Sequence, residues 1–263
     1  MQLEGSIGFF DSGVGGISIW KEVQELMPYE STIYLADSKN APYGSRSKKE
    51  IIDLSIKNTE LLLANNCKLI VVACNTATTN AIDFLRTKYQ IPFIGIEPAI
   101  KPAALQSSAG VIGVLATRGT LSSSLFHETM SRYTNGVKII EKVGDGLVPL
   151  IEEGKVHSKI MHNLLAQYMK PMIDGKIDYL VLGCTHYPYL IPVLKKILPD
   201  HIKIIDSGAA VAKQTKTILE KFSLENVKNI APKHVFYTNK DAFVLKSFLK
   251  DVELDIEVSF KDF

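Results

Sequence analysis

Two cysteines carry most of the chemistry that this sequence offers, and each follows the same kind of apolar run. Residues 69–73 lead into Cys74, and residues 179–183 lead into Cys184, 110 residues later. A short apolar run that ends in a polar loop and a helix is typical of a buried parallel strand. Ligands of open α/β sheets bind beyond the carboxyl ends of such strands. The two thiols are therefore predicted at matching places of two similar halves. A substrate between them would meet one sulfur on each face, which suits inversion of a carbon centre without a cofactor.

The alternative interpretation of a single cysteine is a small apolar residue of the core, and Cys67 is interpreted in that way. For Cys74 and Cys184 the matched positions, with polar groups after each, favour a chemical role. The thiolate is the reactive form of cysteine, and a helix N-terminus after each residue would stabilise it. We expect no metal, because only His186 lies near Cys184 at a ligand spacing.

A glycine-rich loop, Asp-Ser-Gly-Val-Gly-Gly at residues 11–16, follows the first apolar run. Dinucleotide binding is one interpretation of it, and Asp37 lies where a ribose-binding acid would be expected. However, the fingerprint G-x-G-x-x-G/A has glycine or alanine at its third position, and this sequence has Ser18 there. A carboxylate at Asp11 would also repel a pyrophosphate. We therefore interpret Asp11 as a hydrogen-bond partner or proton relay for a thiol.

Three further polar segments are candidates for the same site. The turn Pro-Tyr-Gly-Ser at residues 42–45 follows the second predicted strand, so its N–H groups would face the same crevice. Glu152 and Glu153 lie in the equivalent region of the second half, where a solvated helix face is the alternative, and the sequence leaves open which of them points inward. His186 is either a loop histidine with satisfied hydrogen bonds or an acid/base group with a near-neutral pKa.

The composition is that of an ordinary globular protein: 263 residues, 46% hydrophobic and 22% charged. A net charge of +2 gives no reason to expect a nucleic-acid or membrane partner. No apolar stretch approaches the roughly 20 residues of a membrane span, and residues 1–5 lack the features of a signal peptide. Three cysteines at irregular spacing fit a reducing compartment, so a cytoplasmic protein is predicted.

Strand-like and helix-like segments alternate along the chain, which predicts βαβ units and mainly parallel sheets. Strands are predicted over residues 6–10, 32–36, 69–73, 92–96, 111–115, 137–141, 179–183, 203–205 and 235–238. The clearest helices are predicted over residues 48–64, 77–88, 160–172 and 241–250.

The two halves correspond beyond their cysteines. Residues 7–12 align with residues 112–117, and each half is predicted to contain four strands in the same order. The predicted fold class is therefore α/β, with two similar lobes, each a mainly parallel sheet flanked by helices, and an active site in the cleft between them. We place the first lobe at residues 1–97 plus 208–263 and the second lobe at residues 98–207.

Four motifs together resemble those of the glutamate racemases, in the same order and over essentially the whole chain. They are Asp-Ser-Gly-Val-Gly-Gly at 11–16, Pro-Tyr-Gly at 42–44, Ala-Cys-Asn-Thr-Ala at 73–77 and Gly-Cys-Thr-His-Tyr-Pro at 183–188. The resemblance implies interconversion of L- and D-glutamate without a cofactor, which supplies D-glutamate for bacterial peptidoglycan. The alternatives are a racemase of aspartate or another small acid, a dinucleotide-dependent oxidoreductase and a two-lobed binding protein without catalysis.

The resemblance also assigns roles to residues. It implies that Cys74 takes the α-proton from D-glutamate and Cys184 takes it from L-glutamate, with Asp11 assisting Cys74, and Glu152 and His186 assisting Cys184. Glutamate is the implied small-molecule partner, and the oligomeric state, including a homodimer, is left open. The implied substrate-binding residues are Asp11, Ser12, Pro42, Tyr43, Gly44, Cys74, Asn75, Thr76, Thr117, Cys184, Thr185 and His186.

Overall fold

Six parallel strands form the larger of two β-sheets in the computed structural model, which describes residues 5–226 and 231–263. Residues 1–4 and 227–230, which we assigned to the first lobe, lie outside the described residues. The strand order is β10-β9-β2-β1-β3-β4, and every pair is parallel. The strands are β1 Ser6–Asp11, β2 Thr32–Ala36, β3 Cys67–Val72, β4 Phe93–Gly95, β9 His234–Thr238 and β10 Ile256–Phe260.

The smaller sheet has four parallel strands in the order β6-β5-β7-β8. They are β5 Val111–Ala116, β6 Lys138–Val143, β7 Tyr179–Gly183 and β8 Lys203–Ile205. The first four strands of the larger sheet have the equivalent order, β2-β1-β3-β4. The predicted fold class of two similar parallel α/β lobes is therefore confirmed. We call the half with the larger sheet the first lobe and the half with the smaller sheet the second lobe.

Helices cover the faces of both sheets. They are α1 Ile17–Leu26, α2 Lys48–Ala64, α3 Asn75–Lys88, α4 Ile100–Gln106, α5 Arg118–Leu121, α6 Ser124–Tyr133, α7 Leu147–Glu152, α8 Lys159–Asp174, α9 Ile191–Ile197, α10 Gly208–Lys221 and α11 Ala242–Leu249. Short 3-10 helices lie at Ser38–Asn40, Tyr43–Ser45 and Tyr187–Leu190. Among the described residues, none of these helices combines the length and apolar character that crossing a membrane requires.

The central strands are buried on both faces, which explains their uninterrupted apolar sequences. Every residue of β3 and of β7 is buried. In the first lobe Phe9 packs on one face of the sheet and Phe10, its neighbour in β1, on the other. Two helical layers therefore hold the carboxyl ends of the strands in fixed positions, which is where the cysteines follow.

The first lobe has two strands more than the four that correspond to those of the second lobe. Strand β9 agrees with the expected strand near the chain end, but β10 was not predicted. It lies at the sheet edge, its residues are partly or fully exposed, and Glu257 and Ser259 interrupt its apolar residues. An edge strand of this kind carries little of the hydrophobic signal that identifies buried strands.

The chain passes between the lobes twice. It crosses from β4 to α4 and returns from β8 to α10, and the two crossings are joined by a hydrogen bond from Ser207 Oγ to the carbonyl oxygen of Glu97. This bond ties the two connections between the lobes together.

His234 is expected to make the stability of the first lobe sensitive to pH. Thr32 Oγ1 lies 2.9 Å from His234 Nδ1 and accepts a hydrogen bond from Trp20 Nε1, also at 2.9 Å. Burial lowers the pKa of His234 below its ordinary 6.5, and the charge of Asp255 only partly opposes this.

Because the folded-state pKa is lowered, the unfolded chain protonates first as the pH falls. We therefore expect the free energy of unfolding to decrease below about pH 6.5. The measurement is urea unfolding at pH 8 and pH 5.5, followed by the fluorescence of Trp20, the single tryptophan. In a His234→Asn variant this part of the pH dependence should disappear, and an unchanged pH dependence would contradict the assignment.

Candidate active site

The candidate site is built from loops at the carboxyl ends of strands in both lobes. In the first lobe Asp11 ends β1 and Cys74 follows β3, which pairs with β1. In the second lobe Thr117 follows β5 and Cys184 follows β7, which pairs with β5. The side chains of Cys74 and Cys184 are enclosed, with the residues only 5% and 7% exposed. The parallel order of the two sheets thus supplies one thiol from each lobe.

Cys74 caps the N-terminus of α3. Its Sγ accepts a hydrogen bond from Ala77 N–H at 3.5 Å and donates to Ser12 Oγ at 3.9 Å. Burial raises the pKa of Cys74 well above its usual value, and the charges of Asp11 and Cys184 raise it further. Hydrogen bonds from the backbone N–H groups of Ala77 and Ser12 oppose this rise. The raised pKa favours the thiol form of Cys74 over the thiolate.

Asp11 joins the glycine-rich loop to the second lobe. Its Oδ2 accepts hydrogen bonds from the N–H groups of Gly13 at 3.3 Å and Gly16 at 3.0 Å, and its Oδ1 accepts one from Thr185 Oγ1 at 3.3 Å. Burial raises the pKa of Asp11, although the positive charge of His186 opposes this. Two N–H groups of the loop are thus engaged by Asp11, which disfavours the dinucleotide-binding interpretation.

A buried ion pair lies beside Cys184. His186 Nε2 is 2.6 Å from Glu152 Oε1, and His186 Nδ1 is 3.8 Å from Cys184 Sγ. Burial alone would lower the pKa of His186, but hydrogen bonds to Cys184 and Glu152 and the charge of Asp11 raise it well above its usual value. Burial opposes ionisation of Glu152, yet the His186 bonds and charge lower its pKa overall. The raised pKa favours the imidazolium form of the ring that faces Cys184.

The structure also distinguishes the two adjacent glutamates. Glu152 ends α7 and reaches His186, whereas Glu153 is exposed and pairs with Lys155 at 2.7 Å. The sequence does not show which of the two glutamates points inward, because α7 has only six residues and ends at Glu152. Glu152 is the glutamate that lies in the site.

Two glycines of the loop allow the lobes to meet. A Cβ atom on Gly13 would overlap the Glu152 carboxylate, and one on Gly15 would overlap the His186 ring. The ion pair of the second lobe therefore packs directly on the backbone of the first lobe. The two lobes are thus in direct contact across the cleft, which we call the closed arrangement.

Further donors and hydroxyl groups follow Cys74 at the start of α3 and lie at the start of α5 in the second lobe. The Asn75 amide nitrogen Nδ2 is buried and has no hydrogen-bond partner among the described residues. Thr76 Oγ1 lies 2.8 Å from Thr117 Oγ1, which places a hydroxyl pair across the two lobes. Thr120 Oγ1 is 3.0 Å from Thr117 Oγ1 and completes this group. Thr120 was not predicted, although its spacing from Thr117 is that of a helix N-cap and the third helical residue.

The outer part of the cleft is a cavity of about 310 Å³ between the lobes. Pro42 and Gly44 line it from the first lobe, and Thr117 lines it from the second, whereas neither cysteine does. Tyr43 lies in the same loop, but its hydroxyl donates to Asp37 Oδ2 at 2.5 Å and accepts from Asn58 at 3.1 Å.

The backbone after Cys184 differs from the prediction. We expected a helix N-terminus after each cysteine, and α3 does begin directly after Cys74. Cys184 is instead followed by the 3-10 helix Tyr187–Leu190, and α9 begins only at Ile191. Pro188 and Pro192 lack the N–H group that a continuous helix would need here. The positive charge near Cys184 therefore comes mainly from His186.

Two parallel α/β lobes with one thiol each and charged partners in a shared cleft define an isomerase of the racemase type. The family model described as Asp/Glu/hydantoin racemase matches residues 18–215. A curated glutamate racemase of Herpetosiphon aurantiacus is 44% identical over 220 residues, which are 84% of this chain and 87% of that protein. The chain belongs to this family and, within it, to the glutamate racemases.

Solved structures agree with this assignment. The glutamate racemase of Escherichia coli, in complex with L-glutamate and the activator UDP-MurNAc-ala, is 33% identical, covers 98% of each chain and has a TM-score of 0.86. The glutamate racemase of Francisella tularensis, in complex with D-glutamate, is 28% identical, also covers 98% of each chain and has a TM-score of 0.83. The two-lobed fold of this chain is thus shared with enzymes solved with either enantiomer.

Proposed function

We propose that Cys74 and Cys184 are the paired acid/base residues with which this glutamate racemase interconverts L- and D-glutamate. The observation that carries the proposal is the pair of buried thiols from matching strand ends of the two lobes. Their surroundings differ in a useful way. The raised pKa of Cys74, beside Asp11, favours its thiol, and the raised pKa of His186 favours an imidazolium beside Cys184. A two-base reaction requires one thiolate and one thiol at a time.

In the direction from L- to D-glutamate, the Cys184 thiolate takes the α-proton. The electron pair of the C–H bond stays on the substrate, and the Cys74 thiol gives its proton to the opposite face. The products are D-glutamate, a Cys184 thiol and a Cys74 thiolate, so protons and charge balance. The reverse direction exchanges the two roles.

We further propose that the carboxylates and the developing charge of the substrate are bound by neutral donors. Asn75 offers a buried amide nitrogen without a partner among the described residues. It is also the first residue of α3, where the N–H groups have no acceptor within the helix. Removing one such donor typically costs about 3 kcal/mol of transition-state stabilisation. Ser12, Thr76, Thr117 and Thr185 complete the proposed binding set, together with the backbone of residues 42–44.

The biological setting is part of the proposal. The substrate assignment draws on the relatives solved with L-glutamate and with D-glutamate. Three free cysteines fit a cytoplasmic location, where D-glutamate would supply peptidoglycan synthesis. We propose lobe boundaries at residues 1–97 plus 208–263 and 98–207. A homodimer stays a prediction, as does the lack of a nucleic-acid partner.

The test is proton NMR of the purified, dialysed protein with L-glutamate in deuterated water, with circular dichroism recorded in parallel. We expect the α-proton signal to disappear, since each product molecule carries a solvent deuteron. The circular dichroism signal should decay to zero as the two enantiomers reach equal amounts. Aspartate is the control substrate and should react at least about 100-fold more slowly, because one missing methylene shifts its carboxylate from the donors. Equal rates with glutamate and aspartate would show a racemase of broader substrate range. No α-proton exchange with either amino acid would contradict the proposal.

A further inference from the structure

Glu152 is held in place by the lobe to which it does not belong. Its Oε1 accepts a hydrogen bond from Val14 N–H at 2.7 Å, and its Oε2 accepts one from Ser38 Oγ at 3.3 Å. Both donors lie in the first lobe, at the carboxyl ends of β1 and β2. The bond from Glu152 to His186 lies within the second lobe. The two donors of the first lobe supply the other hydrogen bonds that orient the Glu152 carboxylate.

The Ser38 hydroxyl group bonds only to Glu152 among the described residues. The residue is buried, and its Oγ makes no second hydrogen bond among the described residues. Its backbone carbonyl oxygen accepts a bond from Ala41 N–H, which closes the local turn without the side chain. An alanine would therefore keep the fold of this segment.

A continuous chain of contacts runs from Ser38 to the second thiol. Ser38 Oγ donates to Glu152, Glu152 pairs with His186, and His186 Nδ1 faces Cys184 Sγ. Hydrogen bonds from Val14 and Ser38 stabilise the ionised carboxylate, and this carboxylate stabilises the imidazolium. Opening the cleft would remove both first-lobe donors at once. The charge next to Cys184 is thereby linked to closure.

We propose that Ser38 is a positioning residue that orients Glu152 in the closed cleft and thereby supports proton transfer at Cys184, not at Cys74. This inference rests on the proposed function, because it assumes that the two thiols act on opposite faces of glutamate. Among the residues that the structure describes, Ser38 Oγ forms no hydrogen bond with either thiol or with a proposed substrate donor. Its effect must therefore pass through Glu152 and His186.

Rate constants alone cannot test this proposal. L- and D-glutamate have equal free energies, so kcat/KM must fall by the same factor in both directions when either transfer is slowed. The isotope effect of the α-hydrogen does separate the two transfers. If transfer at Cys184 becomes more limiting, the deuterium isotope effect on kcat/KM grows for α-deuterated L-glutamate, from which Cys184 takes the hydrogen. It shrinks for α-deuterated D-glutamate, whose hydrogen is removed before the limiting step.

The experiment compares wild type with Ser38→Ala, using both α-deuterated enantiomers. We expect kcat/KM to fall about fivefold to tenfold, as for loss of one hydrogen bond of ordinary strength, with a larger L-to-D ratio of isotope effects. Ser38→Thr, which keeps the hydroxyl, should restore both values. A fall in kcat/KM with an unchanged ratio, or a fall that threonine does not restore, would overturn the proposal.

Two further variants separate this role from general loosening of the cleft. Ser18→Ala removes another cross-lobe hydroxyl bond, from Ser18 Oγ to the Thr185 carbonyl at 3.0 Å, which does not involve Glu152. It should leave the ratio of isotope effects unchanged, and the same shift as in Ser38→Ala would overturn the proposal. Gly13→Ala, whose Cβ displaces the Glu152 carboxylate, should shift the ratio in the same direction as Ser38→Ala. Wild type that does not racemise glutamate would instead refute the proposed function.

Discussion

Cys74→Ser and Cys184→Ser are each expected to lose racemisation by at least about 10²–10⁴-fold, the usual contribution of a positioned acid/base group. Serine has nearly the same size, but its hydroxyl is far less acidic than a thiol, so it cannot form the required base near neutral pH. Both thiols are needed in either direction, because one removes the proton and the other supplies it. Circular dichroism of each purified variant with L-glutamate and with D-glutamate measures the loss.

Cys67→Ser is the matched control for these two substitutions. Cys67 is also buried, and burial raises its pKa to about 12, so it is an inert thiol in the first-lobe core. It begins β3, whereas Cys74 follows the opposite end of that strand. We expect full activity with a modest loss of stability. Turnover close to wild type in Cys74→Ser or Cys184→Ser, or its loss in Cys67→Ser, would contradict the two-thiol assignment.

The helices and strands predicted most accurately are those that a short stretch of sequence defines by itself. Helix α2 lies at its predicted bounds, since Ser47 and Glu50 form a capping box at its start. Strands β2, β7 and β8 also match their predicted bounds, because each is a compact β-branched or apolar run between polar residues. Strand β10 was missed because an exposed edge strand need not show such a run.

The geometry of the candidate site could be predicted only in part. Strand-end positions placed Asp11, Cys74 and Cys184 at one edge of their sheets, because the carboxyl ends of parallel strands coincide. Contacts between the lobes have no comparable local signal. Ser38 and Thr120 meet Glu152 and Thr76, respectively, only after the two sheets face each other. The distinction between Glu152 and Glu153 likewise depends on how α7 ends against the first lobe.

A second expected result concerns the fold instead of the chemistry. Lys68 and Glu30 form an ion pair at 2.7 Å, and their side chains are only 2% and 7% exposed. Asn226 completes the group, since its Oδ1 accepts from Lys68 Nζ and its N–H donates to Glu30, both at 2.7 Å. The group joins β3 to the segments that follow α1 and α10. It therefore connects distant parts of the first lobe.

Lys68→Met should lower the free energy of unfolding of the first lobe by about 3–5 kcal/mol, because it leaves the Glu30 carboxylate buried without its cation. The fluorescence of Trp20, which is in the same lobe, reports this transition in urea. A double variant, Lys68→Met with Glu30→Gln, should recover most of the loss, because glutamine is neutral and can still accept from Asn226.

Lys49→Met is the matched control for this ion pair, because the Lys49–Asp53 pair is exposed and its loss should change stability by less than about 1 kcal/mol. All these variants should keep the wild-type kcat at temperatures where they are folded, since Lys68 lies at the end of β3 opposite Cys74. If Lys68→Met were no more destabilising than Lys49→Met, the buried pair would contribute nothing to the first lobe. If the double variant were as unstable as Lys68→Met, the loss would come from packing of the lysine side chain and not from an unpaired charge.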